Sequence, residues 1–147
     1  MKKRSFSAAV RKYLKPALAV ASAVFFAASV LCALYFALFP SRGYLHSDCT
    51  DSILWADAAV RDGSMLSSNY NYSAILPFGG QQIFALFVRL FGVTMKAQVL
   101  SMAVFTVLFA AAAVFFLTSC DISVPRSLFA AGTLMLVLSS SVKLREI

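Results

Sequence analysis

Two long apolar runs without a single charge limit what this chain can become. Residues 16–39 contain no Asp, Glu, Lys or Arg, and neither do residues 97–117. At 1.5 Å per residue the first run makes a helix of about 36 Å, enough to cross a hydrocarbon core of about 30 Å. The 147-residue chain is 61% hydrophobic and 13% charged, so the runs are not isolated patches in a polar protein. Its mean hydropathy is +0.82. This composition predicts an integral membrane protein built of helices. A third apolar run, residues 128–142, closes on Ser139, Ser140 and Ser141 before Lys143. Its length fits a spanning helix or a buried core helix, and it is predicted to be a third, shorter span. The expected architecture is therefore an all-α membrane protein with three transmembrane helices, at 16–39, 97–117 and 128–142, and a turn at 118–127.

The formal net charge of +7 points to topology and not to nucleic acid. Lys2, Lys3, Arg4, Arg11, Lys12 and Lys15 precede the first run with no acidic residue among them. Such an imbalance holds residues 1–15 in the cytoplasm. The first run is too long for the apolar part of a cleaved signal peptide, and Phe39-Pro40-Ser41-Arg42-Gly43 offers no small-residue cleavage pattern, so a retained anchor is predicted. Residues 40–96 then face outward. The expected setting is the cytoplasmic membrane of a bacterium. Cys32, Cys49 and Cys120 fall at three different levels of this topology and are expected to be free thiols.

The outward loop holds Asp48, Asp51, Asp57 and Asp62, four of the chain's six acidic residues. Asp48 as an N-cap with Asp51 three residues later, and Gly63 as a C-terminal stop, predict a helix over 49–62. On its helical wheel Asp51, Trp55 and Asp62 lie within about 60° of Asp48, while Asp57 is opposite and one turn before Arg61. Asp57 and Arg61 read as a solvated ion pair. Asp48, Asp51, Trp55 and Asp62 form the face expected to meet a ligand, and Asp48 admits two readings, a helix cap and a chemical group. His46-x-Asp48-x-x-Asp51 matches no closed metal-site spacing, although two aspartates with a substrate phosphate would be compatible with a divalent ion.

Asn69-Tyr70-Asn71-Tyr72 and Pro77-Phe78-Gly79-Gly80 lack helical period and read as loop and turn. Tyr70 and Tyr72 suit a membrane-interface belt, and as a pair would also offer faces and hydroxyls to a sugar. Ile83, Phe84, Leu86, Phe87, Leu90 and Phe91 make an apolar stripe opposite Gln82, Ala85 and Arg89. The stripe predicts a short interfacial helix over 81–91, ended by Gly92, with Thr94 capping the next span. Arg89 is placed to reach a lipid phosphate.

The order of a basic N-terminus, one span, His46-Ser47-Asp48-Cys49-Thr50-Asp51, Leu54-Trp55-Ala56, Arg61-Asp62-Gly63, Asn69-Tyr70-Asn71-Tyr72 and Pro77-Phe78-Gly79-Gly80 resembles the N-terminal portion of GT-C type membrane glycosyltransferases. The resemblance covers most of residues 45–117 and its motifs are short. It implies a sugar taken from a polyprenyl-phosphate carrier at the outer face, with Asp48 as base and Asp51 as second acidic residue. Family members carry a closer acidic pair and many more spans. The end at Lys143-Leu144-Arg145-Glu146-Ile147, directly after an apolar run, reads as that of a fragment that would be inactive without the remaining helices. The competing expectation is a small non-enzymatic membrane protein, an assembly partner or transporter subunit, whose outer helix binds another chain. No ionisable residue interrupts the first two runs, which speaks against an ion path.

Overall fold

The computed structural model describes residues 3–39, 47–67, 70 and 81–139, and of 3–12, 47–50 and 81 the backbone alone. The described residues form five α-helices: α1 Lys3–Leu38, α2 Ser47–Asp62, α3 Gln81–Phe91, α4 Met95–Ser119 and α5 Val124–Leu138.

Helix α1 does not begin at Pro16, where the apolar run begins. It is 36 residues long and passes through that proline. Pro16 has no N–H to give and so omits one rung of the helical ladder. Its neighbours Tyr13, Leu14, Lys15, Ala17 and Leu18 remain helical. The basic segment expected as a separate N-terminus is thus a continuation of the apolar helix.

Helix α4 follows expectation at its start. The Thr94 hydroxyl oxygen accepts the Ala97 N–H at 3.2 Å, with extended Thr94 backbone. Gly92, which ends α3, has φ +69°, a left-handed conformation that favours glycine. Asp121 takes the same region at φ 59° and reverses the chain between α4 and α5. Helix α5 starts four residues before the apolar run because Pro125 suits the first helical turn. Its described 15 residues give about 22 Å, short of a bilayer core. Among the described residues, two helices are long and apolar enough to cross a membrane. Residues 140–142 of the expected third span lie outside the described residues.

Packing divides into two clusters. Ala33 of α1, Ala110 of α4 and Met135 of α5 form one, with Phe26 and Val30 packed on it. Phe25 and Phe129 stack with centroids 5.1 Å apart. Pairing of Phe25 with Phe129, and of Ala33 with Met135, runs α1 and α5 in the same direction. Ile53, Trp55, Ala56 and Ala59 of α2, Ala85 and Val88 of α3 and Ala97 of α4 form the other. Ala85 is thus on the packed face of α3 and not on the polar side expected for it, while Leu86 and Leu90 point away from the core. A small residue there lets α2 and α3 approach closely, and that decides which face turns inward.

The long helices keep little of their apolar surface inside the protein. Only 11% of the most apolar window of α1 and 22% of that of α4 are buried. A core helix of a water-soluble protein would be mostly covered, so burial within this chain does not explain their composition. Their hydroxyls are satisfied within the helices. Ser29 donates to the Phe25 carbonyl at 2.8 Å, Ser101 to Ala97 at 2.6 Å and Thr106 to Met102 at 2.8 Å. Such internal satisfaction is what an environment without water demands.

Gly132 sets the spacing of α1 and α5. A Cβ there would lie 3.0 Å from two ring carbons of Phe25 and 3.2 Å from the Phe26 Cα. Gly132→Val is expected to cost about 1–3 kcal/mol through overpacking. A thermal melt in detergent checks this: the variant should unfold at lower temperature, and an unchanged midpoint would refute the packing of α5 on α1.

Candidate functional site on the α2–α3 unit

Helix α2 begins at Ser47, which places Asp48 second in the helix and not at its N-cap. The reading of Asp48 and Asp51 as cap and capping partner is corrected accordingly. The N-cap position falls on His46, outside the described residues. Asp48 lies instead in the first turn, where unpaired backbone N–H groups and the helix dipole favour negative charge. Asp51 follows about 4.5 Å further along the axis and is partly exposed.

Tyr70 approaches this end of α2. Its hydroxyl donates to the Asp51 carbonyl at 3.0 Å, and its ring packs against the α2–α3 cluster. The loop that follows α2 therefore folds back along it and brings a tyrosine to the acidic end, across 19 residues of sequence. Tyr72 lies outside the described residues.

The remaining expected residues separate from this pair. Trp55 is 3% exposed and sits in the core, so it presents no face to a ligand and instead anchors α2 on α3. Asp62 is about 16 Å along the axis from Asp51, at the other end of α2. It is exposed and accepts a hydrogen bond from the Ser67 hydroxyl. Gly63, at φ +64°, stops the helix there as expected. The Asp57 carboxylate pairs with Arg61 at 2.6 Å, with side chains 23% and 75% exposed, which is the solvated pair read from the sequence. Such a pair contributes about 0.3–0.5 kcal/mol. The acidic residues of α2 thus form an N-terminal pair, a surface ion pair and a C-terminal residue, not one cluster.

Arg89 is exposed in the last turn of α3, where a cation complements the helix dipole. No three metal-ligating side chains come together among the described residues. Gln98 was not singled out by sequence. It is 6% exposed in the first turns of α4, and its Oε1 has no hydrogen-bond partner among the described residues. An amide near the mouth of an otherwise apolar run was the available signal. Cys32 and Cys120 are free thiols, as expected.

Comparison with known protein families, curated proteins and solved structures finds no match.

Trp55 is the chain's single tryptophan, which makes its burial measurable. Its fluorescence should resist iodide quenching, and Trp55→Ala should destabilise the α2–α3 unit by about 3–5 kcal/mol, seen as faster proteolysis between residues 47 and 92. A readily quenched tryptophan would move Trp55 out of the core and back to the acidic face.

Proposed function

We propose that this chain is part of a GT-C type membrane glycosyltransferase that takes a sugar from a polyprenyl-phosphate carrier at the outer face of a bacterial cytoplasmic membrane. The observation that carries this reading is the acidic end of α2, Asp48 and Asp51, with the Tyr70 hydroxyl on the Asp51 carbonyl and α2 packed on α3 and α4. A carboxylate on a packed helix, beside the end of a long apolar helix, suits a base that works at a membrane surface. The basic residues in the first turns of α1 hold that end of the chain in the cytoplasm, so α1 leads outward and α4 returns.

In the proposed chemistry Asp48 or Asp51 takes the proton of an acceptor hydroxyl while that oxygen attacks the anomeric carbon. The bond from this carbon to the carrier phosphate breaks, and the phosphate leaves with the electron pair. Arg89 supplies a cation for the phosphate, and Tyr70 lies along the base. Trp55 and Asp62 contribute by packing and at the far end of α2. A divalent ion held between the acidic pair and the phosphate is compatible with this scheme.

A second reading draws on the exposed Leu54, Met65 and Leu66 of the α2–α3 unit, at 49%, 41% and 69%. These residues suit an assembly partner or transporter subunit that binds another chain without catalysis.

Asp48→Asn and Asp51→Asn, made separately in the full-length gene product, decide between the two. At least one should lower sugar transfer from a polyprenyl-phosphate donor by about 10²–10⁴-fold, with unchanged membrane abundance. Full activity in both removes the acidic end from the chemistry. Absence of transfer by the unaltered product, with crosslinking of a second chain through Leu66, would favour the partner reading.

A further inference from the structure

A crevice of about 520 Å³ opens beside the last residue of α1 and the first turns of α4, lined by Leu38, Met95, Lys96, Val99 and Leu100. Among the described residues, four of the five lining side chains are apolar and one is cationic. Its volume falls within the range of about 300–1,000 Å³ typical of small-molecule sites.

The charge at its mouth has no ion-pair partner among the described residues. Residues 81–119 contain no Asp or Glu, and α4 has no acidic residue in its first turn. Lys96 therefore adds a positive charge to the positive end of the helix dipole, an arrangement unfavourable by itself. Its ammonium lies 4.7 Å from the centroid of the Phe91 ring, and it forms no ion pair among the described residues. Arg89, two residues before Phe91, is likewise exposed without an ion pair there. Thr94 meets the Ala97 N–H, while those of Met95 and Lys96 lie in the first turn, where the helix itself offers no acceptor.

From these features we infer that the crevice holds a bilayer phospholipid with an anionic headgroup. One acyl chain lies against Leu38, Val99 and Leu100, and the phosphate meets Lys96 and the open N-terminus of α4. Charge complementarity selects this occupant over a second apolar helix, which would leave the cation and the two N–H groups unmet in a low-dielectric setting. The inference rests on the membrane reading of α1 and α4 and is independent of sugar transfer.

Reconstitution of the 147-residue chain into vesicles of equal phosphatidylcholine and phosphatidylglycerol, then extraction in mild detergent and native mass spectrometry, tests it. Phosphatidylglycerol should be retained in preference to phosphatidylcholine. Lys96→Gln should reduce that preference about fivefold, the effect of one basic residue at a lipid surface. Val99→Trp, which fills the crevice, should abolish retention of either lipid, and Lys15→Gln should change nothing. Equal retention of the two lipids, or wild-type retention by both crevice variants, overturns the proposal. Flotation with pure phosphatidylcholine vesicles separates the two levels: a chain that does not float defeats the membrane reading and the lipid site together, whereas one that floats without preference defeats the lipid site alone.

Discussion

Ala97 is fully buried where three helices meet, and the placement of the candidate site depends on that contact. Ala56 and Ala59 of α2 and Ala85 of α3 belong to the same cluster. With methyl side chains at these points, α2 packs closely on α3 and α3 on α4, and Trp55 and Val88 belong to the same cluster. Larger residues would push α2 off α3. Asp51 and Tyr70 owe their positions to this contact, since neither belongs to α4. The α2–α3 unit meets α4 through apolar packing, a non-directional force that small side chains make specific.

A second constraint acts on the long helices. They are apolar on nearly all sides and mostly uncovered by the rest of the chain. In water this would leave a large apolar surface exposed. Their hydroxyl groups turn back to their own backbone carbonyls, so little on these surfaces requires water. Gln98 breaks the pattern with a buried acceptor lacking a partner among the described residues, and it does so at the end nearest the α2–α3 unit. Among the described residues, this unmet acceptor lies close in sequence to Lys96, which has no ion pair there.

The local stops and starts were legible because each is decided within a few residues. Gly63 and Gly92 adopt positive φ at the ends expected of them, Thr94 caps α4 through its own side chain, and Asp57 reaches Arg61 one turn away on the same helix. Other features were not legible. The charge-free run sets the first span at 16–39, yet α1 begins at Lys3 and runs through Pro16 because the missing hydrogen bond is a small part of a 36-residue ladder. The hydrophobic stripe of α3 ranked Leu86 above Ala85, but hydrophobicity does not report which face a neighbour can approach. Trp55 looked like a ligand-facing aromatic on the acidic side of a wheel, and only the presence of α3 and α4 makes it a core residue.

By itself the sequence determined the helical class, two apolar segments of spanning length, the basic end before the first, and the amphipathic helix between them. These follow from composition, period and backbone conformational limits, which act along the chain. Tertiary structure alone decided that Tyr70 returns to Asp51, that Trp55 is buried, that Asp62 stands apart from the N-terminal pair, and that a crevice with a cationic mouth opens beside α1 and α4. Each depends on groups distant in sequence meeting in space, and the energy of such meetings comes from mutual burial and complementary shape, which no single segment encodes.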